Sequence, residues 1–295
     1  MTASAVSPVD GLSTPAPILR ADNITVRFGG ITALADVSLS VPPASIVGLV
    51  GPNGAGKSTM FGALSGLLRP NRGRIYLAGR DVTDTTPQTR ARMGLARTFQ
   101  QVELFLGLTV QEHLILAHRV RYARQRLWAD LIDWRAWRAP DPAETEHVET
   151  LLDMLGLNDV ASEPVAGLPL GVARRVEMGR ALACSPTVLL LDEPFSGLDV
   201  KESEQVLAGL VRTVKEHDVS LLLVEHDVAV VLGVSTTVYV LDFGILIASG
   251  TPEHIRNDQT VRTAYLGIDS PTPGGSERDG AGVRWGQGST RGSTG

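Results

Sequence analysis

The residues best suited to chemistry lie together near the start of the chain. Gly51-Pro52-Asn53-Gly54-Ala55-Gly56-Lys57-Ser58, followed by Thr59, has the spacing of a phosphate-binding loop. Glycines let successive backbone amides curl around an anion, and a following helix start adds partial positive charge. Lys57 supplies a full charge for the outer phosphates, and the Ser58 hydroxyl can ligate a divalent cation. The loop follows an apolar run at 45–50 and precedes a helical pattern at 56–68, which is the context the motif demands. With strand, loop and helix in place, phosphate binding displaces the plain reading of a glycine-rich turn.

Such a loop needs a second carboxylate for the metal. Val188-Leu189-Leu190-Leu191-Asp192-Glu193 supplies it. Asp192 ends a buried strand, where it can reach Mg²⁺ or a water bound to it. Glu193, one residue on, can polarise an attacking water. The adjacent pair argues against a small GTPase, which places its water with a distant glutamine. Gln100 and His226 each follow another strand pattern and can meet the phosphates at the carboxyl edge of the sheet. Taken alone, His226 reads as a cap for the helix that follows.

The elements that must position these groups alternate between strand and helix. Strands are expected at 18–28 and 74–79, and short buried ones at 45–50, 188–191 and 221–224. Helices are expected at 201–216 and 228–234, with a closing hairpin around Asp242-Phe243-Gly244 and a proline-led helix after Thr251. The pattern is α/β with a mostly parallel sheet. Between 101 and 180 strand signals are few. Thr109-Val110-Gln111-Glu112 matches a capping box, and Val148, Leu151, Leu152 and Leu155 share one helical face. A helical subdomain inserted at about 101–180 follows. The expected organisation is a tail at 1–17, one domain at 18–268, and a Gly/Ser-rich tail at 269–295.

Composition narrows the class. The chain has 295 residues, 43 % apolar and 20 % charged, with a net charge of −5. These values exclude overall disorder and argue against a general nucleic-acid coat. The single cysteine, Cys184, excludes a disulfide framework. No secretory signal or membrane-spanning run is visible.

With these motifs in this order, residues 18–267 resemble the ATP-binding subunit of an ATP-binding-cassette transporter. The resemblance implies a P-loop NTPase core, a small antiparallel β subdomain and an inserted helical subdomain. It implies that Phe28 stacks on adenine, that Gly51 to Thr59 bind the phosphates, and that Ser58, Gln100 and Asp192 surround Mg²⁺. Glu193 becomes the catalytic glutamate and His226 the switch histidine, which overturns the capping reading. Ser196-Gly197-Leu198-Asp199 becomes the loop that crosses a dimer interface. Ala96-Arg97-Thr98-Phe99-Gln100, Gly197-Leu198-Asp199-Val200-Lys201-Glu202 and Arg262-Thr263-Ala264-Tyr265-Leu266-Gly267 look most like the branched-chain amino-acid uptake branch.

One motif departs from the family. The signature Leu-Ser-Gly-Gly-Gln is replaced by Leu168-Pro169-Leu170-Gly171-Val172. Gly171 can still offer an amide at a helix start, but Pro169 cannot offer a hydroxyl. The implied partners are two membrane-spanning permease subunits, a second ATPase subunit in a heterodimer with unequal ATP sites, and, indirectly, an extracytoplasmic solute-binding protein. No nucleic acid is expected, and the expected place is the cytoplasmic face of the membrane. The Arg/Trp segment 119–138, with Trp128, Trp134 and Trp137, reads first as a helical hairpin with a solvated basic face, and second as a surface facing a membrane subunit or lipid head groups. The rival function is a nucleotide-gated dimerising module with little hydrolysis of its own.

Overall fold

The computed structural model describes residues 16–98, 104–122, 142–225 and 227–266. Its strands are β1 (Leu19–Phe28), β2 (Ile31–Val41), β3 (Ile46–Val50), β4 (Arg72–Leu77), β5 (Arg80–Asp81) and β6 (Leu95–Arg97). Four more follow: β7 (Val188–Asp192), β8 (Ser220–Val224), β9 (Thr237–Asp242) and β10 (Ile245–Gly250). They form two sheets. The larger has the order β10-β9-β3-β8-β7-β6, parallel from β9 to β6, with β10 closing one edge as an antiparallel hairpin. The smaller is antiparallel, in the order β2-β1-β4-β5. The fold is therefore the expected α/β type with a small antiparallel sheet.

Strands β3, β7 and β8 are buried along their whole length, so they read as unbroken apolar runs. Their side chains divide by alternation between two cores. Val47, Leu49, Val188, Leu190, Leu222 and Val224 face the antiparallel sheet. Ile46, Val50, Leu189, Leu191, Leu221 and Leu223 pack on the opposite face with the apolar sides of the helices.

The helices are α1 (Lys57–Ser65), α2 (Pro87–Arg92), α3 (Val110–Tyr122), α4 (Pro142–Met154), α5 (Leu170–Ala183), α6 (Val200–His217), α7 (Val228–Val234), α8 (Pro252–Asn257) and α9 (Gln259–Leu266). Thr109 and Glu112 make both bonds of the capping box at the start of α3. Val148, Leu151, Leu152 and Leu155 are all buried in the core where α4 packs against α3, α5 and α6. Asp199 and Glu202 form a second capping box ahead of α6. The helix after 226 is capped by Asp227, whose carboxylate accepts from the amides of Ala229 and Val230. The capping role weighed for His226 therefore belongs to its neighbour.

Three features differ from the expectation. Helix α1 stops at Ser65 and does not reach 68, because Gly66 takes a left-handed turn (φ 83°) and the Leu68 amide folds back to the Gly62 carbonyl. Strand β2 lies where no strand was expected; Thr32, Ala33 and Ala35 give it little apolar alternation. Helix α2 was also unforeseen, although Thr86 caps it and Pro87 opens it.

Helix α2 carries Arg90, which is 1 % exposed. Its guanidinium donates to the carbonyls of Ala63 and Leu64 (both 2.6 Å), Val82 (2.7 Å) and Thr83 (3.1 Å). The first two are carbonyls of the last turn of α1, and that of Ala63 also accepts from the Gly66 amide (3.2 Å). Burial lowers the Arg90 pKa to about 10, so the cation persists at neutral pH. We expect Arg90→Met to strip these buried oxygens of their charged donor and cost on the order of 3–5 kcal/mol. Calorimetry should show a melting point lower by roughly 10 °C. Arg90→Lys should recover only a small part, because an ammonium cannot span the fork.

Candidate nucleotide site

The phosphate loop connects β3 to α1 at the carboxyl edge of the larger sheet. Gly56 precedes α1 with φ 101°, and a Cβ there would stand 2.8 Å from the Ala33 carbonyl oxygen. Gly51 has no room either: a Cβ would meet the Leu241 carbonyl oxygen at 2.3 Å. The loop is thus pressed between β2 and the end of β9. The Gly244 amide donates to the Ala55 carbonyl (3.0 Å) and fixes the loop to the β9–β10 turn. Asn53 and Gly54 are exposed at the tip, Pro52 is half-buried, and Ala55 is buried.

Lys57 is 6 % exposed. Its ammonium donates to the carbonyls of Gly51 (2.6 Å) and Pro52 (3.0 Å), so the cation lies within the curl of the loop. Burial lowers its pKa, and the nearby charges of Glu193 and Asp192 oppose that shift. The loop lysine and the acidic strand end therefore share one electrostatic environment. Ser58 is exposed and Thr59 half-buried on the first turn of α1. A hydroxyl there suits a divalent cation, since hard cations prefer oxygen ligands. No group of three or more His, Cys, Asp or Glu able to hold a metal occurs among the described residues.

Asp192 ends β7 and is 4 % exposed. Burial raises its pKa, while the Arg97 guanidinium, 3.1 Å from Oδ2, pulls it down. Arg97 also donates to Ser65 Oγ (3.3 Å) and lies over the Phe61 ring, so it ties Asp192 to α1. The Thr98 hydroxyl accepts from the Asp192 amide (3.3 Å). The sequence gives no sign of this role for Arg97, whose place beside Asp192 depends on the β6–β7 pairing.

Glu193 is half-buried, and its backbone is left-handed (φ 51°). Such a conformation is costly for a non-glycine residue and is concentrated at functional sites. Phe28 ends β1 half-exposed, at the same sheet pair as the loop. Gly171 is the second residue of α5, buried beneath the Glu202 carboxylate. Pro169 occupies the N-cap of α5 and offers no side-chain bond. Leu170 packs on Gly197, so this helix start and the 196–199 loop share one surface. Gln100, His226 and the Arg/Trp positions Trp128, Trp134 and Trp137 lie outside the described residues.

Beyond 103, the chain presents Phe105 and Leu106 exposed beside a groove lined by Phe105, Gly107, Leu108 and Leu116. His113 secures this loop. Its Nε2 accepts from the Phe105 amide (2.9 Å), so Nδ1 carries the proton and donates to the Thr109 carbonyl (2.8 Å).

A lysine-bearing phosphate loop on a parallel sheet, with an Asp-Glu pair ending the strand two places away, defines a P-loop nucleoside triphosphatase. Residues 34–196 match the family described as ABC transporter, and residues 246–269 match that described as branched-chain amino acid ATP-binding cassette transporter. The chain belongs to the ABC transporter family and is an ATPase subunit of it. It is 38 % identical over 251 residues to the high-affinity branched-chain amino acid transport ATP-binding protein LivG of Salmonella typhimurium, covering 85 % of this chain and 98 % of LivG. It is 35 % identical over 254 residues to the lipopolysaccharide export system ATP-binding protein LptB of Haemophilus influenzae, covering 85 % and 97 %. A nucleotide-free ATP-binding cassette of an ABC transporter superposes with a TM-score of 0.73 at 29 % identity, covering 85 % of this chain and all of that one. A cassette bound to ADP and Pi gives 0.66 at 25 % identity, covering 79 % and 98 %.

The His113 bonds generate a pH prediction. Burial depresses the imidazole pKa below 6.5, and the Arg180 charge adds to it. A base with a depressed folded pKa contributes stability above its unfolded pKa and loses it as pH falls through the folded one. Denaturant unfolding from pH 7.5 to 5.5 should therefore show falling stability. His113→Asn should be less stable at pH 7.5 but show a flatter pH dependence.

Proposed function

We propose that this chain binds ATP with Mg²⁺ and hydrolyses it to drive a membrane importer for branched-chain amino acids or a related small solute. The observation that carries the chemistry is the buried Lys57 ammonium in the phosphate loop, within the field of both Asp192 and Glu193. The solute class rests on the likeness to LivG over nearly its whole length and on the match at 246–269. Two membrane-spanning permease subunits and a second ATPase subunit are the partners, with a solute-binding protein acting through them. No helix among the described residues is long and apolar enough to cross a membrane. Docking at the cytoplasmic face, through the groove beside Phe105, suits such a subunit.

In this reading Phe28 receives the adenine, and the amides of residues 51–59 with Lys57 receive the phosphates. Ser58, Asp192 and Gln100 would hold Mg²⁺, which supplies charge neutralisation when bound. Glu193 orients and deprotonates the attacking water, and His226 contacts the γ-phosphate. Phosphoryl transfer needs little beyond such positioning and charge stabilisation. Glu193→Gln should retain ATP binding and lose turnover by roughly a hundredfold or more. Mg²⁺-dependent phosphate release, measured beside nucleotide binding, checks this. A Glu193→Gln variant as fast as the native chain would sink the assignment.

The start of α5 supports an unequal pair of sites. Pro169 removes the hydroxyl that the family signature would offer across a dimer, and Leu170 replaces a glycine. A hydrogen bond to a charged group contributes about 1.5–3 kcal/mol, tenfold or more in affinity. We expect Pro169→Ser with Leu170→Gly to raise turnover of the chain acting alone by roughly tenfold. Unchanged occupancy and unchanged turnover would show that the two sites do not differ for this reason.

A further inference from the structure

Glu225 is a buried carboxylate, 4 % exposed, directly after β8 (Ser220–Val224). Its Oε1 accepts a 2.8 Å hydrogen bond from the backbone amide of Phe195. One residue earlier, the Val224 carbonyl accepts from the Glu193 amide (2.9 Å). The end of β8 thus grips the backbone at 193 and again at 195. Between these two bonds Glu193 adopts its left-handed conformation, and Pro194 is buried. Phe195 is itself 9 % exposed and its bond to Glu225 is buried, so its amide has little access to water as a substitute partner.

A left-handed glutamate persists only where its surroundings over-determine it. The Val224 bond belongs to the backbone, and any residue at 224 would make it. The bond to Phe195 needs a side chain of one length carrying an acceptor at its end. It lies at the point where the chain leaves β7 for the 196–199 loop, whose turn is closed by Ser196 donating to the Glu193 carbonyl (3.2 Å).

We propose that Glu225 is a positioning residue for ATP hydrolysis: its carboxylate pins the Phe195 amide and thereby sets the aim of Glu193 and the take-off of the 196–199 loop. The proposal rests on the reading that Glu193 handles the attacking water. What matters is an acceptor of the right reach, not a charge. Glutamine keeps that acceptor, aspartate keeps the charge but shortens the side chain by one methylene, and leucine keeps only the bulk.

The test compares Glu225→Gln, Glu225→Asp and Glu225→Leu, as full chains, in the assembly where the native chain turns over. Glu225→Gln should stay within about threefold of native turnover. Glu225→Asp and Glu225→Leu should lose tenfold or more in kcat while KM for ATP stays within about threefold, the pattern of a defect expressed in the transition state. Hydrogen exchange gives a second reading that needs no turnover. The Phe195 amide should be protected in the native chain and in Glu225→Gln, and should exchange at least tenfold faster in Glu225→Asp. A fully active Glu225→Asp beside an inactive Glu225→Gln would show a charge at work and overturn the proposal. So would unchanged Phe195 protection in Glu225→Asp, or losses in kcat that only follow the melting temperature. If the native chain hydrolyses ATP and Glu193→Gln does so equally well, the reading of Glu193 fails first, and this inference falls with it.

Discussion

The last carbonyls of helix α1 (Lys57–Ser65) are the groups on which the site depends. This helix is nine residues long, and its N-terminus is the phosphate loop. Its C-terminal end lies buried, where a helix leaves backbone oxygens without partners. Arg90 donates to the carbonyls of Ala63 and Leu64, and its positive charge complements the negative end of the helix dipole. A second arginine, Arg97, reaches Ser65 at the same end and Asp192 on β7. So short a helix has little stability of its own and takes its position from what holds it. The two guanidiniums fix it to the antiparallel sheet on one side and to the acidic strand end on the other.

That arrangement explains why charge is buried so densely here. Lys57, Arg90 and Asp192 are each less than one-tenth exposed, and Arg97 is nearly as enclosed. Burying any one of them alone would be expensive. Lys57 has loop carbonyls and two nearby carboxylates; Asp192 has Arg97; Arg90 has carbonyl dipoles and the Thr85 hydroxyl, and its burial lowers its pKa to about 10. Polar groups held in place by the fold need little reorganisation during a reaction, which is where electrostatic catalysis gains its advantage. The fold stores the cost in its own packing, through two apolar cores on either face of one sheet.

Much of this was legible in the sequence, and the reason is local. The phosphate loop, the runs ending at Val50, Asp192 and Val224, and the capping boxes are short-range patterns whose physics acts over a few residues. What could not be read depends on distant contacts. Strand β2 has weak alternation, because Ala33 and Ala35 lie where β2 meets the loop and the β9–β10 turn. Arg90 stands in the polar stretch Gln88-Thr89-Arg90-Ala91-Arg92, where nothing distinguishes a buried arginine from a solvated one. Only the turn at 82–85 closing over the end of α1 makes it a core residue. Arg97 and Glu225 are similar: each is a charge beside a strand end, given its task by the neighbouring strand.

The β7 and β8 ends show how pairing assigns such tasks. The two strands run parallel in strict register, with Asp192 opposite Val224. The residues just past the register are therefore Glu193 on one strand and Glu225 on the other. One carboxylate takes a left-handed turn towards the loop lysine, and the other turns inward to hold the backbone of the first. Two glutamates one step beyond paired strands are thus set to different work by the direction in which each leaves the sheet. Residue type supplies the acid; the register of the sheet decides which acid lies near the loop lysine and which one accepts from the Phe195 amide.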